Sequence, residues 1–462
     1  MFQSLERQVR TLAAPAYAGA DDKATERAEQ PAVAAPARLR HERQGSAETS
    51  ATFRTRANRP AKSSATERQG RDVLQRPELP WTASTPVHFD DTSQAWIVCS
   101  YADVESVLLR TGDFSWEVWD RRIDPVFAGM WNADGQRHAA LRRLSQRYFQ
   151  ARRVNSMSSI IEDIVNDLVD DILLPGTGEV DVVNQLSNRL GGRLMSAMVG
   201  LDFADVPRLI TWRRTQQAAI NEGRSPAIPE MWSYFEDLIE RRRRNPEGGL
   251  LDYLIAAQRE GYEIEGAPLS DWDLIGSVWT VVTSGLTGAN VGYTLVNLAT
   301  HQLLQQARHE PEVSWGAVNE SLRLYPGIPV MRVRARRDIA LGGAVIPSGD
   351  SVHACISTAN MDPGHFPEPE RFDVTRNPSR HLSFGRGSHH CLGAQLFSIE
   401  VLTAVRVVLE RLPNLRLHAD KPLKHRYGAM FGTLREAHFQ FDTPGPRGTG
   451  HAAPAHAVPV GG

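Results

Sequence analysis

A mainly α-helical chain with a smaller β-rich part is what the sequence predicts, on three observations. From about Gln136 to Gln305 apolar residues recur at helical spacing, as in VNSMSSIIEDIVNDLVDDILL and SYFEDLIERRRR. Beyond Pro326 the texture changes to RVRARRDIALGGAVIPSGDSVHACIS, which alternates and carries Gly and Pro, as short strands and turns do. A further helical run, Leu396 to Leu409, follows. No internal repeat is visible.

The ends read differently. Residues 1–75 are Ala, Arg, Glu, Ser, Thr and Pro with few large apolar side chains. Such a segment buries too little surface to offset its ordering entropy, so a disordered tail is expected, with a docking arm for a partner as the alternative. The stretch PGPRGTGHAAPAHAVPVGG, residues 444–462, reads the same way. The body is then 76–443. Within it AWIVCSY is strand-like, and ADVESVLLRTG is a short helix ended by Gly112. Arg241 to Arg244 read as the solvated end of a helix.

With 462 residues, 41% of them hydrophobic, a large core is available. A net charge of −2 argues against a nucleic-acid binder held by bulk charge. Cys99, Cys355 and Cys391 are odd in number and widely separated, so no disulfide framework is expected and a reducing compartment is the simplest reading. No apolar run is long enough to span a bilayer, and MFQSLERQVRTLAAPAYAGADDKATERAEQ is broken by charge throughout. A cytoplasmic protein free of the membrane is the expectation.

The most informative stretch is His381-Leu-Ser-Phe384-Gly385-Arg386-Gly387-Ser388-His389-His390-Cys391-Leu392-Gly393-Ala394. Three glycines lie close to one cysteine, and a helix pattern follows at once. Glycines let backbone turn tightly and approach a large flat ligand. A cysteine at a helix start sits near the positive end of the dipole, which favours thiolate. Two other readings stand beside this one. The cysteine could be a buried free thiol in a glycine turn. His389, His390 and Cys391 could hold zinc, although adjacent residues converge poorly on one ion and no second Cys/His pair has zinc spacing.

Phe384-x-x-Gly387-x-x-x-Cys391-x-Gly393 resembles the haem-binding signature of the cytochrome P-450 superfamily, in its soluble bacterial class. The resemblance implies the cytochrome P-450 fold, with haem b (iron protoporphyrin IX) between a long distal helix and the cysteine loop. It makes Cys391 the metal ligand, puts Phe384 beside the thiolate and Gly387 and Gly393 in the loop that cradles haem, and has His389 contact a propionate. On haem iron a thiolate pushes electron density toward O–O cleavage.

Other segments carry the same resemblance. Glu320-Ser-Leu-Arg323 shares one helical face; by itself it is a common surface pair, but it is similar to the family's Glu-x-x-Arg, a structural core pair that locks onto a downstream loop, here Phe366 to Phe372. Asp134-Gly-Gln-Arg-His138-Ala-Ala-Leu-Arg142 is similar to the start of the family's C helix, which implies that His138 and Arg142 reach haem propionates. The prolines usual after the aspartate are replaced by Gly135 and Gln136, which leaves the helix start open to a different geometry. A third propionate contact is expected from the strand after Pro326, with Arg332 ahead of Arg334. RRRRNPEGGLLDYLIAAQREG and Ala359-Asn-Met-Asp-Pro363 are also similar to family segments. The likeness runs from about residue 80 to 442.

The distal helix departs from the family pattern. Ser284-Gly285 stands where Ala-Gly is usual, Thr287 where an acid is expected, and Gly288 where a threonine is expected. Thr283, Thr287 and Asn290 share a face that could hold a water chain, or could bond only carbonyls one turn back. Thr287 and Ser284 are the catalytic candidates. The reading is therefore a haem-thiolate oxidoreductase, with monooxygenation (hydroxylation) of a small-molecule secondary metabolite first. Oxidative coupling or desaturation without oxygen insertion is the alternative, given the missing acid–threonine pair; use of peroxide is a further one. A haem sensor or carrier without turnover, and a degenerate member kept as a partner protein, are the competing classes.

On the substrate side, Trp116, Trp119, Phe127 and Trp131 precede the C helix. If these rings line a cavity, an aromatic or polycyclic substrate follows; packing in the core is the other reading. Gly285 and Phe431 complete the substrate candidates, with a second region near Trp212 to Trp232. A carrier-bound substrate is compatible with all of this. The likeness leaves no room for a fused flavin or nicotinamide domain, so a ferredoxin and its reductase are the expected electron donors, docking where Arg386 and Arg380 offer positive charge. No nucleic acid and no membrane partner is expected.

Overall fold

The computed structural model describes residues 85–122, 124–221, 227–284, 287–376, 380–426 and 433–443. The two expected tails lie outside them.

A five-stranded sheet stands at one side of the molecule. Its strands are β1 (Val87–Asp90), β2 (Ala95–Val98), β3 (Phe114–Ser115), β4 (Val330–Ala335) and β5 (Ser351–Cys355), in the order β1-β2-β5-β4-β3. Only β2 and β5 pair in parallel. Between β2 and β3 lies helix α1 (Tyr101–Leu109), capped where the Asp103 amide donates to Ser100 Oγ at 3.1 Å. It ends at Leu109, three residues before the glycine that the sequence suggested as its stop, because Arg110 already leaves the helical region at φ −91°, ψ 59°. Val104, Val107 and Leu108 of α1 bury themselves against Val98, Val333, Val352 and Ala354 of the sheet.

The helical body comprises α2 (Gly135–Tyr148), α3 (Ala151–Leu173), α4 (Asn188–Val199), α5 (Val206–Asn221), α6 (Pro229–Arg244), α7 (Leu250–Arg259), α8 (Asp271–Ser284), α9 (Thr287–Thr300), α10 (Pro311–Leu324) and α11 (Ala394–Arg411). In α3 the buried residues Val154, Met157, Ile161, Val165, Leu168 and Ile172 recur every three or four positions, the stripe a core-facing helix needs. That stripe meets α11, whose Val401, Ala404, Val405 and Val408 are buried. Each such fully buried aliphatic side chain stabilises the fold by roughly 1.5–3 kcal/mol. The last turn of α11 runs to Arg411, a little beyond the periodic residues.

The arginine run at the end of α6 corrects the sequence reading. Arg241 and Arg244 are exposed, but Arg242 is 3% exposed. Its guanidinium donates to both carboxylate oxygens of Asp252, at 2.9 and 2.7 Å, to the Gly200 carbonyl at 2.7 Å and to the Gly248 carbonyl. Arg243 pairs with Asp271 and donates to Gln258 Oε1 at 2.7 Å. The run is a clamp joining α6, α7 and α8. A helix terminus that neighbouring carbonyls and carboxylates surround recruits its arginines inward, and no local pattern shows that.

The segment before α2 crosses α8 where two glycines meet back to back. A Cβ on Gly276 would lie 2.5 Å from the Gly129 amide nitrogen and 2.8 Å from the Pro125 carbonyl oxygen. Helix propensity alone favours alanine at 276 by about 1 kcal/mol. The crossing predicts the opposite sign: Gly276→Ala is expected to destabilise by about 1–3 kcal/mol, through overpacking against backbone. A urea melt that shows Gly276→Ala equal to or firmer than the parent sinks this reading.

Candidate active site

Cys391 follows a tight loop. Gly387 turns at φ +65°, and a Cβ there would press on the Leu108 carbonyl at 3.3 Å, so both conformation and space call for glycine. The Cys391 amide donates to the Phe384 carbonyl at 2.8 Å, and α11 begins three residues later, at Ala394. Of the three cysteines Cys391 is the exposed one. Protein packed around it pushes its thiol pKa up, while the amides of Gly393 and Ala394 and the charge of Arg142 pull it down. Burial outweighs them and the net shift is upward, so a bound metal ion is what would make the sulfur a thiolate. The half-buried Phe384 ring sits edge-on to Phe397 at 5.3 Å and close to His381 and His390.

His389 packs against two other rings. Its ring stacks on Trp116 at 4.0 Å and lies 3.9 Å from the ring of His138. Among the described residues no group of three or more His, Cys, Asp or Glu is arranged to hold a metal ion, so His389, His390 and Cys391 do not make a zinc site. Trp116 is 5% exposed within the core cluster of the sheet. It packs against the histidine pair. The sequence could not show this, because stacking joins positions from opposite ends of the chain.

His138 and Arg142 project from one face of α2. Burial first, then the Arg142 charge, pushes the His138 pKa down to about 4, against a smaller opposing pull from Asp134. Burial, His138 and Arg142 push His389 down to about 2. Arg142 Nε is buried without a hydrogen-bond partner. Three nitrogenous side chains thus converge, and the carboxylate that acts on His138, Asp134, is already engaged by Ser115 Oγ at 2.5 Å, the Trp116 amide at 3.0 Å and Arg336. This donor set suits an added pair of carboxylates, as haem propionates are, beside Cys391. The residues present therefore fit haem.

The start of α2 has a backbone that the family's usual proline would not allow. Gly135 has φ +51°, which proline, locked near −65°, cannot adopt. On β4, Arg332 is half-buried and directly opposite His353, whereas Arg334 is exposed and donates to the Gly349 carbonyl at 2.8 Å. Burial lowers the Arg332 pKa.

Glu320 and Arg323 are buried at the end of α10, 3% and 1% exposed. Arg323 Nε and Nη2 donate to Glu320 at 2.8 and 2.9 Å, Nη1 to the Asn360 and Pro369 carbonyls at 3.0 and 2.7 Å, and Nη2 also to the Arg371 carbonyl at 3.2 Å. The pair grips the loop between Phe366 and Phe372, and the guanidinium sits 5.3 Å above the Phe366 ring. Glu320 further accepts from the Asp373 amide and from Arg376.

On the distal side, Gly285 and Phe431 lie outside the described residues, as do the side chains of Ser284 and Thr287. Thr283 donates back to the Trp279 carbonyl at 2.9 Å, the local bonding expected of a mid-helix threonine. Asn290 is 3% exposed with its Oδ1 unpartnered. Trp119, Phe127 and Trp131 pack on one another, with Trp119 stacked on Phe127 at 5.4 Å. The buried Asn132 holds them: its Oδ1 accepts from the Val118 and Trp119 amides, and its Nδ2 donates to the Trp119 and Phe127 carbonyls. Arg137, unnoticed in the sequence, pairs with Asp273 and ties α2 to the first turn of α8. Its only sequence signal was the capping box Ser270-x-x-Asp273 at that turn.

Two histidines near the site are buried and neutral. Burial and the Arg332 charge push His353 down to about 3. Burial, Arg386 and Arg323 push His381 to about 3. The unfolded chain protonates both near pH 6.5 and the folded one does not, so stability is fully present above that pH and falls as pH drops toward 3. At pH 5 each should cost about 2 kcal/mol. His353→Leu should show a smaller fall in urea midpoint between pH 7 and 5 than the parent; an equal fall counts against the assignment.

The comparisons agree with the geometry. A profile of the Cytochrome P-450 family matches residues 315–435. Mycinamicin IV hydroxylase/epoxidase of Micromonospora griseorubida is 31% identical over 338 residues, 70% of this chain and 83% of that protein. The 6-deoxyerythronolide B hydroxylase of Saccharopolyspora erythraea is 32% identical over 301 residues, 63% of this chain and 72% of that protein. The crystal structure of CYP109E1 from Bacillus megaterium superposes with a TM-score of 0.73 at 23% identity, over 78% of this chain and 95% of that one. Among the described residues no helix is long and apolar enough to cross a membrane. A cysteine loop, a buried Glu–Arg lock and a likeness to named hydroxylases over about two thirds of the chain lead to one assignment: this chain belongs to the cytochrome P-450 family, a haem-iron monooxygenase class.

Proposed function

We propose that the protein binds haem b through Cys391 and inserts oxygen into a small-molecule secondary metabolite. The observation that carries this is the convergence of His138, Arg142 and His389 beside an exposed cysteine whose sulfur faces the amides of Gly393 and Ala394. His138, Arg142, His389 and Arg332 would hold the propionates, while Phe384, Gly387 and Gly393 shape the loop around the thiolate. Bound haem supplies oxygen activation. The chain's own share is to offer the sulfur two amide donors, to shield it with the Phe384 ring, and to neutralise the propionates with fixed positive charge.

Thr287 and Ser284 are the groups proposed to position protons on the distal side. Trp119, braced by Asn132 against Phe127 and Trp131, and Gly285 and Phe431 are proposed to face substrate. Relatives named as hydroxylases and epoxidases favour oxygen insertion over coupling or desaturation. Electrons come from a redox partner, which we take to be a ferredoxin with its reductase; Arg380, exposed, and Arg386, already paired with Glu105 at 3.3 Å, lie on the docking side. P450BioI, 25% identical, was crystallised with a fatty acid on acyl carrier protein, which supports a carrier-bound substrate as one form to test.

The test uses purified protein with a surrogate ferredoxin, its reductase and NADPH, screened by mass spectrometry against free and carrier-bound products of neighbouring biosynthetic enzymes. A mass gain of one oxygen is expected. A loss of two hydrogens across all converted substrates rejects oxygen insertion.

A further inference from the structure

The fold brings together two cysteines that the haem site does not use. We propose that Cys99 and Cys355 form an oxidisable dithiol, which hydrogen peroxide closes to a disulfide tying β2 to β5.

Several observations converge. Along the parallel pairing of β2 and β5, Trp96, Ile97 and Val98 stand opposite Val352, His353 and Ala354, so the next pair along is Cys99 and Cys355. Both are 0% exposed, and with Ile97 and Val330 they form a small apolar cluster of their own. The two side chains pack in one cluster, and the Cys355 thiol lies 3.7 Å from the His353 carbonyl oxygen. The Thr358 hydroxyl lies 3.1 Å from the Cys99 carbonyl and 2.9 Å from the Cys355 carbonyl, clasping the two backbones just beyond the ladder.

The spacing suits the bond. Neighbouring strands lie about 4.8 Å apart, inside the roughly 4.4–6.8 Å Cα separation of disulfides. The Cβ atoms must close to about 3.8 Å, and the site allows it: Cys99 lies one residue past β2, and Cys355 is the last residue of β5. The thiols are also unequal. Their mutual interaction lowers the Cys99 pKa and, with burial, raises that of Cys355. Cys99, one residue past the end of β2, is the thiol that opening at the strand end frees first, and it is taken as the nucleophile.

The chemistry balances. The Cys99 sulfur attacks one peroxide oxygen and breaks the O–O bond, giving a sulfenic acid and one water. The Cys355 sulfur then attacks the Cys99 sulfur; the S–S bond forms, the sulfenic hydroxyl leaves, and the Cys355 proton makes it the second water. The pair loses two electrons and the peroxide gains them. Because both sulfurs are enclosed, the reaction proceeds through local opening at the strand ends. The closed bridge would brace the chain leading into Asn360, whose carbonyl accepts from Arg323 and whose Oδ1 accepts from the Leu382 amide at 2.8 Å.

The haem-loaded full chain is incubated with hydrogen peroxide, denatured, alkylated without reductant and mapped by peptide mass spectrometry. A peptide linking Cys99 to Cys355 is expected, absent after dithiothreitol, with two fewer alkylated thiols per chain and a higher melting temperature that reduction reverses. Cys99→Ala and Cys355→Ala should each abolish the linked peptide; the parent map stands without them if either variant misfolds. Full alkylation of both thiols after peroxide, separate oxidation to sulfinic acids, or a bridge from either to Cys391 overturns the proposal.

Discussion

Replacing Cys391 by alanine is expected to abolish the thiolate-type Soret band of the reduced, carbon monoxide-treated protein and to lower oxygen-inserting turnover by at least about a thousandfold, the ~4 kcal/mol scale of losing a principal catalytic group. The amides of Gly393 and Ala394 then have no anion to meet. The loop itself should survive, because the Phe384 carbonyl accepts from the backbone of residue 391 rather than from its side chain. The variant's urea midpoint and far-ultraviolet spectrum should therefore stay near the parent's. A Cys391→Ala protein that keeps the thiolate-type band and full turnover refutes the metal-ligand assignment.

Truncating Arg323 should be the most damaging structural change. Its guanidinium satisfies the buried Glu320 carboxylate and three backbone carbonyls, of Asn360, Pro369 and Arg371. Arg323→Ala strands all of them in a site 1–3% exposed. Breaking a buried pair on one side costs about 3–5 kcal/mol, a large part of a typical folding free energy of about 5–15 kcal/mol. The expected result is little soluble protein and little bound haem. Arg323→Lys should fare scarcely better, since an ammonium cannot reproduce five donors in a planar fork. Glu320→Gln, which keeps shape and removes charge, should be milder. Urea midpoints and haem content separate the three; an Arg323→Ala protein with a parental midpoint would remove the lock from the account.

Local patterns carried much of this. The Cys391 loop with its glycines, the Glu320–Arg323 spacing and the His138–Arg142 pair were all visible, because each lies within a few residues of chain and helix geometry fixes what shares a face. The replacement of the prolines after Asp134 was equally legible, and Gly135 takes a backbone conformation that proline forbids. The readings that changed involved partners far along the chain. Arg242 looked solvated until Asp252, Gly200 and Gly248 were brought around it. The stacking of Trp116 on His389, distant in the chain, was equally invisible.

The sequence by itself determined the helical stripes, the thiol at a helix start and the order of the segments, all properties of period and spacing. Only the tertiary structure decided which nitrogen groups crowd together without enough carboxylates, which arginines are buried, and that Cys99 meets Cys355. Hydrogen bonds, ring stacking and thiol contact act over a few ångströms, and chain distance says nothing about those.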